Sequence, residues 1–458
     1  MSSLRSDLRL AWRLTRGSDR QEWWRITLTA LGAALAAGFA LAAGVLASLR
    51  GGHHHVSVGE GLLGEPGTRS GVILGLLLLL VAALGFLGQC ARIGAVHRDR
   101  RLAGLRLAGA APGQVRRIAA LETGLACLLG SAVATVFSVL LLLRLWTRPT
   151  ALAWAVVALV AVGVPVLGAA AGALALRRVV ASPLGWVRRT GTRSGRGPGW
   201  LFLVALLLVA GMALLAVTVT STGTAVGRSL WQAPMTVFAA LLAVGAGAVW
   251  LAGTVARLLG RVLADRARSA ATLIAAERLR DDPWAPARTH AAVLLVTVAG
   301  TGFVGVRQGV LAGLRRQEPL AADMSYYTTG LNLTAAAITM GLVITLSGLA
   351  VGTAESLATR RRGLAAQVAA GVPRSVLDRA LLLETALPLA PAVLLAGAGG
   401  MAIGTGYCAL VPQGGSGPGT PWAALLVPFG VYASCLLAAA TSLPLLGRTV
   451  RPAELRYA

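Results

Sequence analysis

The sequence contains no lysine, and its 42 basic residues are all arginine. That absence excludes the phosphate-cradling motif G-x-x-x-x-G-K-[ST], whose lysine reaches the nucleotide phosphates. The chain is therefore expected not to hydrolyse ATP, and any ATP it depends on is turned over by another polypeptide. Charge is scarce, at 13% of residues, where a soluble domain carries about a quarter. Histidine is scarcer still, at five residues, three of them adjacent as His53, His54 and His55. Neutral imidazoles ligate metals and haem well. Adjacent histidines rarely converge on one ion, however, and only Glu60 and Glu65 lie close in sequence. A solvated loop is the preferred reading, and no metal site is assigned. No Ser/His/Asp set, H-E-x-x-H motif or pair of carboxylates offers a catalytic constellation. The four cysteines, Cys90, Cys127, Cys408 and Cys435, lack C-x-x-C spacing and read as small hydrophobes. The first two are expected near cytoplasmic span ends, Cys408 in an outside loop and Cys435 within a span.

What the chain has instead is apolar length. Hydrophobic residues make up 56%, and long runs recur at 27–48, 71–91, 118–143, 151–176, 200–220, 235–256, 291–311, 333–353, 380–404 and 422–446. Each is of a length that crosses a bilayer as a helix. The expected fold is all-α, a polytopic helical membrane protein of about ten transmembrane helices. The net charge of +25 follows the topology. With the N-terminus inside, 34 of the arginines fall in inside segments and eight elsewhere, which is the positive-inside bias and puts both termini in the cytoplasm. Attraction to anionic membrane lipids is secondary. Nucleic acid is excluded as a partner, because no basic stretch interleaves with stacking aromatics in a soluble module. Residues 1–26 read as a cytoplasmic amphipathic segment, with Leu4, Leu8, Trp12 and Trp23 able to line one face on the inner leaflet. Arg307, inside the outer part of the seventh run, is read either as snorkelling to the headgroups or as meeting an anionic lipid or peptide. Glycine and alanine fill runs one, three and nine, which suits close and sliding helix contacts.

A stretch recurs. "RDRRLAGLRLAGAAPGQVRRIAALET" (98–123) and "RRRGLAAQVAAGVPRSVLDRALLLET" (360–385) align at a shift of 262 residues, with Arg98/Arg360, Leu102/Leu364, Gly109/Gly371, Arg117/Arg379 and Glu122/Glu384 among the identities. Arg13-Leu14 similarly faces Arg278-Leu279. The expected organisation is a first four-helix unit over 27–189, two linking helices over 200–256 and a second four-helix unit over 272–458. Both units start inside, so they are parallel repeats about an axis along the membrane normal. Leu102, Leu105 and Leu107 with Ala103 build a short amphipathic helix with arginine on its other face. Gly109 and Pro112 end it and turn the chain. Such a knob would protrude from the bilayer and dock into a groove; the plainer alternative is a basic loop that only sets topology.

These stretches resemble the FtsX-like permease family of ABC transporters. The family's basic, Leu/Ala-rich segment ends in an "LRALGA"-type turn before a span opening on Leu-Leu-Glu-Ala or similar. The ten-span layout is similar to that of bacitracin-resistance permeases, without the large extracellular domain of many members. Departures are Arg101 and Gly363 where the family usually has glutamate, and Val368 where the first copy has Arg106. The resemblance implies contacts to an ATPase through Arg101, Leu102, Leu105, Arg106, Gly109, Ala110 and Pro112 in the first copy. In the second they are Leu364, Gln367, Gly371, Val372 and Pro373. Glu122 and Glu384 have two readings. One is structural, suiting the helix dipole and pairing with Arg117 or Arg379; the other is transmission of motion. The implied function is the permease subunit of an ABC transporter in the bacterial cytoplasmic membrane. It would be joined to an ABC ATPase, a homodimer per permease chain that carries the ATP and magnesium; the permease itself needs no cofactor. It would export or extract an amphiphile (a lipid, lipopeptide or hydrophobic antibiotic, hence a link to antibiotic resistance) by mechanotransmission. The alternative is a non-transporting regulator that activates a histidine kinase or a cell-wall hydrolase through the same ATPase. A secondary transporter fits worse, since no mid-span Asp or Glu is present for ion coupling.

Overall fold

The computed structural model describes residues 20–49, 66–90, 104, 107–145, 149–175, 211, 225–315, 323–410 and 422–444. Every regular element among them is helical: α1 Arg20–Ala47, α2 Pro66–Cys90, α3 Pro112–Leu145, α4 Ala151–Ala175, α5 Ala225–Arg266, α6 Ala270–Asp281, α7 Ala285–Leu314, α8 Met324–Thr359, α9 Arg361–Ala369, α10 Arg374–Leu410 and α11 Leu426–Ala440, the last preceded by a 3₁₀ turn at Trp422–Leu425. Nine helices among the described residues are long and apolar enough to cross a membrane. Only α6 and α9 are too short. The chain is thus an all-α polytopic membrane protein. The expected run at 200–220 lies outside the described residues, save Gly211.

Several helices are longer than their apolar runs. α3 has 34 residues, α8 has 36, α10 has 37 and α5 has 42. At 1.5 Å per residue these are roughly 50–63 Å long, against a hydrocarbon core of about 30 Å. Arginine clusters where α8 gives way to α9 and α10, at Arg360, Arg361, Arg362, Arg374 and Arg379. The expected outside loop at 312–332 is correspondingly short, because α7 reaches Leu314 and α8 already begins at Met324. Cys408 does not sit in a loop: it is buried within α10, where its Sγ crowds Gly309 of α7.

The chain divides into two compact units, one of Met1–Leu49 with Phe86–Gly191 and the other of Arg50–Gly85 with Thr192–Ala458. This differs from a first unit running unbroken over 27–189. Most of α2 groups with the later helices, and side-chain packing gives the reason. A Cβ on Gly85 would meet Ala292 of α7 at 3.1 Å, and one on Gly341 of α8 would meet Leu79 at 3.2 Å.

In the first unit α3 lies between α1 and α4. Gly130 of α3 is pressed on the backbone of Ala30 and Ala34 in α1, leaving no room for a side chain, and Gly168 of α4 receives Cys127. In the second unit α7 crosses α10 equally closely. A Cβ on Gly400 would stand 2.5 Å from the Val298 carbonyl oxygen, and one on Gly404 2.7 Å from that of Gly302. Without water to drive helices together, such close backbone contact supplies the packing. Leu294, Val298, Leu389, Ala392, Val431 and Cys435 fill the core of this unit.

Candidate functional site

The second copy of the repeated stretch is wholly visible. α8 ends at Thr359, Arg360 links it to α9, and α9 runs only from Arg361 to Ala369. Its end is a Schellman motif. The Gly371 N–H donates to the Val368 carbonyl at 2.9 Å and the Val372 N–H to that of Gln367 at 3.0 Å, while Gly371 takes a φ of +90°. That pairing satisfies carbonyls the helix would otherwise leave open, and it needs a left-handed residue for which glycine is suited. Pro373 follows, and α10 starts at Arg374.

The first copy turns in the same way. The Ala108 N–H donates to the Gly104 carbonyl at 3.0 Å, Gly109 has a φ of +94°, and α3 starts at Pro112. Proline suits that first helical position, where its missing N–H costs nothing. In both copies the long helix begins three residues after the left-handed glycine and carries its glutamate, Glu122 or Glu384, as the eleventh residue.

The two faces of the second knob differ. Leu364 and Ala365 are buried, at 2% and 3% exposure, and Leu364 packs with Leu357, Leu377 and Leu381, flanked by Val368 and Val372. Leu364, expected to touch a partner, instead pins α9 to the ends of α8 and α10. The outward surface is formed by Arg362, Ala366, Ala369 and Ala370, with Gly371 and Pro373 also exposed. Gln367 is half-buried, and its Oε1 finds no hydrogen-bond partner among the described residues. In the first copy Leu107 is 81% exposed and Ala110 is half-buried. Leu107 aligns with Ala369, so that one knob presents a leucine where the other presents an alanine. Arg101, Leu102, Leu105 and Arg106 lie outside the described residues, as do His53, His54 and His55.

Behind each knob sits a carboxylate held by arginine from outside its own helix, buried in the case of Glu122 and half-buried in that of Glu384. Glu122 pairs with Arg25 of α1, their side chains 4% and 9% exposed. Glu384 accepts from Arg360 Nη1 on both oxygens, at 2.9 and 3.1 Å, and from Arg278 Nη1 of α6 at 3.3 Å. The expected partner on its own helix, Arg379, is exposed; it sits five residues before Glu384 and so on a different side of α10. Burial lowers the pKa of Arg278 from its ordinary value. The Glu384 charge opposes that shift and the neighbouring Arg360 adds to it. Arginine does not deprotonate in proteins, so Arg278 stays a cation whose burial Glu384 partly offsets. α6 is itself well fixed, by a capping box between Ser269 and Thr272. Arg25, Arg278 and Arg360 were not singled out as functional from sequence. Arg360 and Arg278 left a trace only as matches in the repeat, to Arg98 and Arg13.

No group in these two clusters suits bond-making chemistry. The arrangement is mechanical: a short, exposed, sharply turned segment tied by a salt bridge to helices of its own unit. Among known families, the model of the FtsX-like permease C-terminal domain matches residues 72–184, a span that includes the first knob and Glu122. No curated protein and no solved structure matches the chain.

Proposed function

We propose that this FtsX-like permease, an ABC-transporter-type membrane subunit, contains two such units and couples a separate ATPase to movement of an amphiphile. The two knobs, Leu107–Gly109 and Arg361–Pro373, face the cytoplasm together with both termini of the chain, and engage an ABC ATPase dimer that binds ATP and magnesium. The single observation that carries this reading is the recurrence of the left-handed glycine, the new helix three residues later and its tethered eleventh-residue glutamate. A basic loop that only set topology would need none of these.

Closure of the ATPase pushes on the knobs. In the second unit Arg360 is both the C-cap of α8 and the N-cap of α9, and it is bonded to Glu384. A displacement of α9 is therefore passed at once to α8, to α10 and, through Arg278, to α6. α10 packs on α7 through Gly400, Gly404 and Gly302, where facing backbones slide with little side-chain interlock. The cargo is expelled or extracted from the bilayer by this movement without a continuous aqueous channel. The test is ATP turnover by the purified chain, alone and with its cognate ATPase. The chain alone is expected to show none, and the complex to show turnover that knob substitutions uncouple from amphiphile movement. Turnover by the chain in the proven absence of other proteins would overturn the proposal.

A further inference from the structure

α7 carries a cation that no carboxylate among the described residues neutralises. Arg307 lies seven residues before the end of α7, about 10 Å along the axis, within a helix long and apolar enough to span the membrane. Snorkelling would send its side chain along α7 toward Leu314. The side chain instead reaches sideways to α8, where Nη2 donates to Asn332 Oδ1 at 3.1 Å. No carboxylate among the described residues pairs with it, and its Nε is buried with no acceptor. Arg307 is only partly buried and Asn332 is exposed, so an always-charged side chain stays partly accessible at the protein surface within a membrane span.

We infer that Arg307, oriented by Asn332, seats the anionic headgroup of a phosphate-bearing amphiphile lying in the bilayer. An intramembrane arginine is costly unless it meets an anion or water; a guanidinium binds phosphate oxygens in a two-point geometry, and a net-anionic headgroup keeps the attraction that a zwitterionic one offsets with its own cation. α8 supplies the track for the acyl chain. Beyond Asn332 its exposed residues include Leu333, Thr334, Ala336, Thr339, Met340, Val343 and Ser347, and the Thr334 and Ser347 hydroxyls donate to the Gly330 and Val343 carbonyls at 2.9 and 2.8 Å. The Thr339 hydroxyl already donates to the Ala335 carbonyl at 2.8 Å, so that surface makes no unmet polar demand on a hydrocarbon chain. Tyr326 and Tyr327, edge to face at 5.4 Å between ring centroids, occupy the first turn of α8 on the headgroup side, where amphipathic rings settle. The knob lies at the opposite end of α8. Asn332 and Thr359 are 27 residues apart, about 40 Å along the helix, so a headgroup at Arg307 is bound in the leaflet away from the ATPase. As an entry point for cargo this site rests on the permease reading; as a lipid site it does not.

The test uses the full chain in lipid nanodiscs, without any ATPase, and phosphatidylglycerol carrying a photoreactive group beside its ester carbonyl. Peptides labelled on irradiation are identified by mass spectrometry, with the phosphatidylcholine analogue as control. Labelling by phosphatidylglycerol is expected on α7 and α8 around Arg307 and Asn332. It should fall about tenfold in Arg307→Gln, the loss expected for one charge-assisted contact. Labelling around the Arg-rich α9 should not change, and Arg307→Lys should retain part of the signal. Equal labelling by the two lipids, or undiminished labelling in Arg307→Gln, overturns the inference. Should Arg307→Gln fail to fold, Asn332→Leu decides: it leaves the charge but removes its orientation, and unchanged labelling there overturns the inference as well.

Discussion

Replacing Gly371 isolates the turn from everything around it. A Cβ at this position would meet nothing within 4 Å, so a substitution creates no clash and its whole cost is the φ of +90°. An L-residue in the left-handed region costs about 1–2 kcal/mol. Loss of glycine's freedom in the unfolded chain gives back about 0.4–1 kcal/mol. The net for Gly371→Ala is then about 0.5–1.5 kcal/mol. A β-branched residue, a genuine outlier at such φ, should exceed about 2 kcal/mol, whereas Gly371→Asn should stay near wild type because asparagine tolerates this region. Burial of Leu364 contributes about 1.5–3 kcal/mol to holding α9 in place, so the alanine variant should keep the knob attached while opening its turn more often. Hydrogen exchange at residue 371 and Val372, whose amides close the Schellman motif, reads this directly in the purified chain. After correction for intrinsic rates, exchange should rise roughly 2- to 12-fold for Ala and about 30-fold or more for Val. Equal protection in Gly, Ala and Val forms would refute the reasoning, because the left-handed turn would then not be what holds the segment.

Glu122→Gln and Glu384→Gln should both lower the thermal unfolding temperature in detergent. Glu122→Gln should cost more, about 3–5 kcal/mol, because Arg25 is left almost wholly buried. For Glu384→Gln about 1–3 kcal/mol is expected, since Arg360 reaches solvent; the opposite ranking would contradict the burial argument. Gly130→Val and Gly400→Val should separate α1 from α3 and α7 from α10 respectively, at a cost of at least about 1–3 kcal/mol each, seen as loss of folded, monodisperse protein. Gly88→Val, where a side chain meets open space, should leave the yield unchanged, and equal yields from all three variants would speak against the close crossings. A topology reporter at Ser416 should register outside and one at Arg193 inside; the reverse at either position would undo the inside assignment of the knobs.

The helical membrane fold was legible because it rests on one-dimensional quantities. Apolar run length identifies spans, and a glycine followed within three residues by a helix start identifies a turn. Gly109 and Gly371 were recoverable for that reason, and so was the equal spacing to Glu122 and Glu384. What the sequence left open depends on which helices meet. Nothing in a hydropathy pattern says that α2 up to Gly85 packs with α7 and α8 rather than staying with α1, α3 and α4. The same limit explains Glu384: local spacing favours Arg379, but salt bridges inside a helical bundle are set by neighbouring elements, and Arg278 and Arg360 are brought in by the fold, as Arg25 is for Glu122. Leu364 shows a third limit. An amphipathic nine-residue helix has an apolar face, yet periodicity cannot tell whether that face meets the protein's own core or a partner. Here it meets the core, and alanine and arginine are left outside.

The central claim, that the turned segments grip an ATPase, is tested most directly by cysteine crosslinking between knob and partner. Leu107→Cys places a thiol at a position 81% exposed, and Leu364→Cys places one at a position 2% exposed; the four native cysteines are all buried. With the cognate ATPase dimer and a short bifunctional maleimide, Leu107→Cys and Ala369→Cys should crosslink to an ATPase carrying a cysteine scan of its surface groove, and Leu364→Cys should not. The yield should change when ATP closes the dimer. Crosslinking absent from both exposed positions across the whole scan, in a complex shown to be assembled, would contradict the account and leave the repeated stretch as a topology anchor.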